Sequence, residues 1–376
     1  MESATLAIIE TPLAQEHLAA GAKLAPYHGA EVPLRFGDPA VEHKAVRAAA
    51  GLFDFSFRSK FTLTGEHRTR FLHRIVSNDI KALSPGQGTY ATLLSAQGRI
   101  LADLRIYLDE DRIWVDTDAD LTEKAIGVLR RYIIGDRVEI EPSGLASVAF
   151  QGPTAWSTLK RLLGSSLDPL EREMDHRTVQ YEGRPARLVR LSSTGEDGYE
   201  VWLDAATIRS LWSAALEAGS ATSILPCGSE ALESLRIEGG IPRYGADLAE
   251  DTLPLEAGLL NALSFNKGCY IGQEIVERAR SRGHVNWRLM GVRFEVAAAV
   301  PNPGEALTHE DKAIGEITSA CYSPSLARPI ALAYLRREVA EPGTRLLATG
   351  GCVGEVCSLP FWKASGATQP GPDPTS

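Results

Sequence analysis

The sequence predicts an α+β fold in two parts, a body formed by residues 1–285 and an all-β module formed by residues 286–362. In the body, residues 60–64 alternate between polar and apolar side chains as a strand does, and the run stops at Gly65. Apolar residues at helical spacing follow it. The same order of strand, glycine and helix recurs over residues 147–163. This repetition predicts that the body consists of two related α+β halves.

The all-β module is assigned from the pattern of short strand-like runs separated by turns, which follows the proline- and glycine-rich segment 301–304. The last residues, 363–376, are rich in Pro, Gly, Ser and Thr and contain almost no apolar side chains. Such a composition cannot bury a core, so we expect these residues to be a disordered tail.

The other elements of the body follow from apolar periodicity and from signals at helix ends. Asp120 and Glu123 have the spacing of a capping box, in which two side chains bond the free N–H groups at a helix start. The pair Gly239-Gly240 is typical of a helix end. Helices are therefore predicted over residues 120–134, 208–218 and 229–238, and strands over residues 112–118, 137–141, 187–192 and 199–204.

Composition and charge exclude several classes of protein. A chain of 376 residues with 44% apolar and 23% charged residues is long enough for two or three folded domains. Its formal net charge of −9 argues against a nucleic-acid partner. The sequence shows no secretory signal and no run of about 18 apolar residues, so we expect no membrane partner and a cytoplasmic location.

The five cysteines are odd in number, which indicates free thiols in a reducing compartment. Cys352 and Cys357 have four residues between them, but no second Cys/His pair accompanies them. We therefore predict no metal site.

One thiol stands out because of its surroundings. Cys269 lies in the segment K-G-C-Y-I-G-Q-E, residues 267–274, between two glycines and close to Lys267. A cysteine thiol has a pKa near ~8.5, and a neighbouring ammonium or a helix N-terminus lowers that pKa. Residues 272–278 have the pattern of a helix start. The sequence thus favours a reactive thiolate, while a small apolar side chain buried in a turn is the alternative.

Several blocks of sequence resemble one superfamily. T-G-E-D-G-Y-E at 194–200, L-R-I-E-G-G at 235–240 with Y-G-A-D at 244–247, and G-L-F-D-F-S at 51–56 resemble signatures of the glycine-cleavage T-protein (aminomethyltransferase) superfamily. The K-G-C-Y-I-G-Q-E segment at 267–274 is similar to the signature of one branch, the YgfZ family of folate-binding proteins. The resemblance covers nearly the whole chain.

This resemblance implies both a fold and a function. The body is expected to form two interlocked α+β subdomains of ferredoxin-like type around a ligand channel, and the C-terminal module to form an antiparallel β-barrel. The implied cofactor is tetrahydrofolate or a one-carbon derivative. The implied partners are folate and the iron–sulfur client or assembly proteins that such factors serve.

The same resemblance implies three residues that hold the folate. Glu200 offers two parallel acceptor oxygens that match the ring N–H and the amino group of a reduced pterin. Arg236 would bind a pterin carbonyl or a glutamate carboxylate, although a cation at a helix end also has a structural role. Asp118 stands where the superfamily usually has Asn, and a carboxylate cannot donate a hydrogen bond unless it is protonated.

Asp103 is the candidate acid–base group. It lies in G-R-I-L-A-D-L at 98–104, and it matches the second carboxylate of the superfamily's acidic pair, which lies beside the folate N5. Ala102 takes the place of the first carboxylate. A single carboxylate can still act as a base, but the loss of its neighbour removes a like charge that would raise its pKa. The incomplete pair weakens the expectation of aminomethyl transfer.

The leading hypothesis is a tetrahydrofolate-binding factor for iron–sulfur cluster assembly or repair, in which Cys269 does the chemistry. From the same motif, Lys267, Tyr270, Gln273 and Glu274 are expected at the cofactor site. The alternative is a folate-dependent aminomethyltransferase of the glycine-cleavage type. A third possibility is a folate-sensing module without chemistry. One cysteine cannot complete the four-thiolate shell of a cluster, so any cluster would be shared with a partner.

Overall fold

The computed structural model describes residues 8–281 and 283–364, except for the side chains of residues 220–222. The tail predicted to be disordered, residues 363–376, lies outside the described residues from residue 365 onward. Within the described chain, no helix combines the length and the apolar content that are needed to cross a membrane.

The helices are α1 (Ala14–Ala19), α2 (Pro39–Ala48), α3 (Arg68–His73), α4 (Thr122–Arg131), α5 (Ala155–Leu163), α6 (Thr207–Thr222), α7 (Ser229–Glu238) and α8 (Gln273–Ser281). Short 3-10 turns cover Ala119–Leu121, Leu260–Ala262 and Arg337–Val339. The strands are β1 (Ile9–Glu10), β2 (Lys23–Tyr27), β3 (Ala30–Arg35), β4 (Ala50–Asp54), β5 (Arg58–Thr64), β6 (Gln87–Leu94), β7 (Ile100–Leu108), β8 (Ile113–Asp118), β9 (Glu139–Ser143), β10 (Ala146–Gln151), β11 (His176–Tyr181), β12 (Arg184–Arg190), β13 (Gly198–Leu203), β14 (Ile224–Cys227), β15 (Trp287–Phe294), β16 (Ala306–His309), β17 (Lys312–Ser323), β18 (Arg328–Arg336), β19 (Arg345–Ala348) and β20 (Val353–Cys357).

The first half of the body is a six-stranded sheet in the order β11-β12-β13-β10-β4-β14. Helices α5 and α6 pack on this sheet and bury an apolar core that includes Phe150 and Trp212. Strand β4 pairs antiparallel with β10 and parallel with β14. This half therefore combines an early strand with strands from much later in the chain.

The second half is an antiparallel five-stranded sheet in the order β6-β7-β8-β5-β9. Phe71 from α3 and Ile126 from α4 complete its apolar core. All of its strands lie between β4 and β10 in the chain, so this half is inserted into the first one. The two interlocked α+β halves confirm the predicted fold class.

Glycine is required at both strand–helix junctions that the sequence repeat predicted. Gly65 and Gly152 have positive φ angles of 93° and 128°. A Cβ at Gly65 would lie 2.3 Å from the carbonyl oxygen of Arg137, and one at Gly152 would lie 2.5 Å from that of Ala49. Both positions therefore need the conformational freedom and the small size of glycine.

The helix predicted over residues 120–134 is shorter in the structure, and its capping box is wrong. Helix α4 follows a 3-10 turn, and Leu121 is its N-cap residue without any side-chain capping bond. Asp120 lies within the 3-10 turn, and its carboxylate is 3.7 Å from the imidazole of His28 instead of at the start of the helix.

The C-terminal module is a closed barrel of six strands in the order β15-β18-β17-β16-β19-β20. All of its neighbouring strands are antiparallel. Phe294, Ile317 and Leu335 are among the side chains that fill its interior. The predicted antiparallel barrel is confirmed.

Helix α7 joins the body to the barrel through buried charges. The Glu238 carboxylate accepts hydrogen bonds from Ser323 Oγ at 2.5 Å, Ser325 Oγ at 2.9 Å and Arg47 Nη2 at 2.7 Å. Burial alone would raise the pKa of Glu238, but His43 and these donors outweigh it and lower the pKa to about 2. The ionised carboxylate therefore stabilises the contact between the two parts.

This contact predicts an acid-sensitive stability. The pKa of Glu238 falls from an ordinary 4.5 to about 2 on folding, so the unfolded chain binds more protons and stability is lost as the pH falls through that window. We expect Glu238→Gln to lower the free energy of unfolding at neutral pH by about 3 kcal/mol and to flatten its decline with acid. Urea unfolding at a series of pH values measures both. Glu341→Gln, at an exposed position, is the control; a variant as acid-sensitive as the wild type would contradict the assignment.

Candidate active site

A cleft opens where the six-stranded and five-stranded sheets of the body meet the turn between β2 and β3 and the segment after α7. It contains about 520 Å³ of space, which includes its open mouth. Part of its lining is aromatic, from Tyr27, Phe55, Phe57 and Tyr244. The ionisable side chains of the lining are His28, Arg58, Asp103, Arg105, Asp118, Arg236 and Arg243. A concave surface that combines apolar walls with converging polar groups is typical of small-molecule sites.

Strand β7 places two of these groups side by side. Side chains alternate between the two faces of a strand, and on β7 Ala102 and Leu104 are buried in the apolar core of the second half. Asp103 and Arg105 therefore share the opposite face, and both line the cleft. Ala102, which replaces the first carboxylate of the acidic pair, lies on the core side of the strand.

Asp103 has one bonded and one free carboxylate oxygen. The hydroxyl of Tyr90 donates to Oδ2 at 3.1 Å, whereas Oδ1 is buried and has no hydrogen-bond partner among the described residues. Burial raises the pKa of Asp103, and the negative charge of Asp118 raises it further. A like charge thus acts on Asp103 despite the alanine at position 102, and the sequence did not indicate Asp118 as its source.

Asp118 also lines the cleft, but its oxygens are shared with neighbours. Arg58 Nη1 donates to Oδ1 at 2.6 Å, and His28 Nδ1 lies 3.1 Å from Oδ2. Arg58 donates through Nη2 to Asp116 at 3.0 Å as well. Burial would raise the pKa of Asp116, but Arg58, Lys60 and Arg105 outweigh it, so the pKa is lowered. A connected set of charges therefore lies under the cleft.

Glu200, the expected pterin ligand, is fully buried and is not among the lining residues. Its Oε1 accepts from Arg105 Nη1 at 3.0 Å, and its Oε2 accepts from Trp202 Nε1 at 3.1 Å. The structure brings Glu200 next to the cleft, behind Arg105.

Arg236 lines the cleft, but its guanidinium already donates hydrogen bonds to other protein groups. It donates to Glu233 at 2.7 Å, to Asp247 at 2.5 Å and to Ser319 of the barrel at 2.7 Å. Burial would lower the pKa of Arg236, but Asp247 and Glu233 outweigh this and raise it. In this structure the arginine connects α7 to the barrel, which differs from the role at the carbonyl groups of the helix end that the sequence left open.

The motif loop places its cysteine and its lysine differently. Cys269 is exposed, so the alternative of a thiol buried in a turn is wrong. The ammonium of Lys267 is buried and donates to the carbonyl oxygens of His73, Val76 at 2.7 Å and Asn78 at 2.8 Å. Since an ammonium has three N–H donors, none remains for a thiolate or a ligand. The expectation that Lys267 acts at the cofactor site is corrected: the residue anchors the loop.

The other motif residues also lie outside the lining of the cleft. Tyr270 is buried, and Gln273 is half-buried at the first position of α8. Glu274 is exposed and pairs with Arg278 at 2.5 Å. The loop is fixed against the turn between β6 and β7, where a Cβ at Gly272 would lie 2.6 Å from the carbonyl oxygen of Ser95.

Sequence reasoning missed Arg58 and Arg105 in the lining of the cleft, and Tyr90, whose hydroxyl donates to Asp103. A signal existed for Arg105, because it stands two residues after Asp103, the spacing that places two side chains on one face of a strand. Tyr90 lies opposite Arg105 in the pairing of β6 with β7, a register that the sequence does not reveal.

The lysine anchor predicts a loss of stability without it. Lys267→Met leaves three carbonyl oxygens without their donor, so we expect the free energy of unfolding to fall by about 2–4 kcal/mol. Chemical denaturation provides the measurement, with the exposed Lys81→Met as the matched control. Equal stabilities of the two variants would show that the three hydrogen bonds contribute nothing.

The chain matches two family models that together span almost its full length. Residues 13–267 match the GCVT N-terminal domain, and residues 288–363 match the glycine cleavage T-protein C-terminal barrel domain. The described cleft lies in the first of these regions, and the closed barrel is the second.

Curated relatives and a solved structure agree with these matches. A protein of Symbiobacterium thermophilum named aminomethyltransferase is 33% identical over 94% of this chain and 97% of its own length. One of Streptomyces avermitilis with the same name is 35% identical, with coverage of 94% and 97%. The crystal structure of the glycine cleavage system aminomethyltransferase T from Bartonella henselae superposes with a TM-score of 0.87 at 27% identity, covering 95% of this chain and 99% of that one. This chain belongs to the glycine-cleavage T-protein family.

Proposed function

We propose that this protein is a tetrahydrofolate-dependent one-carbon transferase of the aminomethyltransferase type. Its similarity to relatives of that name extends over 94% of the chain. The observation that carries the proposal is the carboxyl group of Asp103, which is buried in the lining of the cleft and has one oxygen without a partner among the described residues.

The residues of the cleft suit a reduced folate. Its lining combines aromatic walls with converging ionisable groups, as small-molecule sites do. The aromatic side chains offer surfaces for a flat heterocycle. The free oxygen of Asp103 would accept an N–H group from the ligand.

Asp103 would serve as the acid–base group. Tetrahydrofolate, when bound, supplies the nitrogen that receives the one-carbon unit. A base has to take a proton at neutral pH, and a carboxyl group with a raised pKa holds that proton more firmly than an exposed one. Tyr90 donates to Oδ2, which leaves Oδ1 free to exchange a proton with the substrate.

The alanine at position 102 is compatible with this proposal. Ala102 is fully buried in the core of the second half, on the opposite face of β7 from Asp103. A carboxylate there would lie among apolar side chains and away from the cleft. The incomplete acidic pair therefore removes no group from the lining of the cleft. The sequence suggested that it weakens the case for aminomethyl transfer, but the position of Ala102 gives no reason for that.

Replacement of Asp103 tests the proposal. We expect Asp103→Asn to reduce the transfer rate by about 10²–10⁴-fold and to change the affinity for tetrahydrofolate only a few-fold, because the shape of the side chain is kept. The assay is glycine cleavage with a lipoylated carrier protein, and the exposed Asp168→Asn is the control. In the wild type the raised pKa places the acid limb of the rate profile at a higher pH than the ordinary aspartate value of 3.8. Absence of turnover in the wild type would sink the proposal.

A second function is proposed because of Cys269. Its thiol is exposed in the loop that precedes α8. This exposure and the resemblance of the loop to the YgfZ signature favour a folate-binding factor for iron–sulfur cluster assembly or repair. The cluster would be cargo shared with a client or assembly protein, because one thiolate cannot hold it alone.

The two functions separate on one substitution. If the second function is correct, Cys269→Ser abolishes complementation of an iron–sulfur maturation defect in cells while glycine cleavage in vitro stays unchanged. Cys352→Ser, which alters a half-buried thiol of the barrel, is the matched control. Full complementation by Cys269→Ser would remove the iron–sulfur proposal and leave the first one intact.

A further inference from the structure

We infer that Arg105 recognises the ligand of the cleft directly, by donating to a carbonyl oxygen of the heterocycle, and that Glu200 acts through Arg105. This inference rests on the proposed function and adds a specificity residue to it. It also reverses the expectation from sequence, in which Glu200 binds the pterin.

The first observation is the position of Arg105 beside Asp103. The two residues are separated by one position on β7, so their Cα atoms are about 7 Å apart on one face of the strand. Both side chains line the cleft. The strand therefore presents a cationic donor next to a carboxylate acceptor.

The second observation is how the guanidinium is held. Nη1 donates to Glu200 at 3.0 Å and lies 3.4 Å from Asp116. Nε and Nη2 have no acceptor in the part of the chain that the structure describes, and the side chain is 17% exposed. One nitrogen is thus anchored by buried carboxylates, and the other two can serve a ligand.

The third observation concerns Glu200. Its side chain is fully buried, and its two oxygens are bonded to Arg105 and to Trp202. It therefore meets the ligand only through Arg105. Glu200 is a positioning residue that fixes the direction of the guanidinium.

A neighbouring donor and acceptor fit a ligand edge that offers an acceptor beside a donor. A tetrahydropterin has such an edge, because the oxygen on C4 and the N–H group at N5 are adjacent. Asp103 would accept from N5–H, and Arg105 would donate to the C4 oxygen. A 4-amino analogue has an amino group instead of that oxygen, and it would direct N–H groups at a guanidinium.

The test compares two ligands on matched variants by titration calorimetry. We expect the wild type to bind tetrahydrofolate at least about tenfold more tightly than 4-amino-4-deoxy-tetrahydrofolate. A charged hydrogen bond contributes about 1.5–3 kcal/mol, so Arg105→Met should weaken tetrahydrofolate binding by about 10–150-fold. It should change the affinity for the 4-amino compound by less than about threefold, so the preference disappears. Arg105→Lys should recover part of it.

The controls separate recognition from folding. Arg112→Met alters a partly exposed arginine near the end of the same sheet and should keep the wild-type preference. An equal loss of affinity for both ligands in Arg105→Met would overturn the inference and leave the folate proposal standing. A wild type that binds neither ligand would overturn both.

Glu200 provides an independent check. If it acts through Arg105, then Glu200→Gln adds no further loss of affinity in the Arg105→Met background. A further loss of tenfold or more in the double variant would mean that Glu200 contacts the folate itself, and the inference would be wrong.

Discussion

The body depends on charges that are buried between its six-stranded and five-stranded sheets. Lys60 of the second half is fully buried, and its ammonium donates to Ser147 of the first half at 2.6 Å. Burial lowers the pKa of Lys60, while Asp116 and Glu200 oppose that shift. Removing such charges from water is costly unless each has close partners, so the two sheets are held at one distance and in one orientation. That constraint also determines where β7 presents Asp103 and Arg105.

The charged groups that line the cleft are hydrogen-bonded to this buried network. Arg58 and Arg105 each donate to a buried carboxylate, and both also line the cleft. The negative charge that raises the pKa of Asp103 comes from Asp118 on the neighbouring strand β8, and not from a neighbour in the chain. A carboxyl group with a raised pKa can therefore exist here without the second acidic residue of the transferase pattern.

The fold could be predicted from the sequence to a large extent, because its signals are local. Helix α7 begins and ends at the predicted residues, since Gly239 and Gly240 mark its end. The capping box at Asp120 failed because His28, far away in the chain, is near the side chain of Asp120 in the fold.

The site was less predictable because its contacts join distant positions. The resemblance indicated Asp103, Asp118 and Arg236, all of which line the cleft. It did not indicate that Arg105 separates Glu200 from the cleft, a contact across 95 positions of the chain. Nor did it reveal that Lys267 binds carbonyl groups more than 180 positions away. Such pairs are determined by tertiary packing between segments that are distant in the chain.

The insertion of one half into the other also sets an order of assembly at the ribosome. Strand β4 ends at Asp54, but its partners β10 and β14 begin only at Ala146 and Ile224. The five-stranded sheet, which is continuous in the chain, is complete long before both edges of β4 are covered. Until residue 227 has emerged, one edge of β4 is a row of unpaired backbone groups that other chains can join. That edge of β4 therefore stays open while residues 55–227, a little under half of the chain, are added.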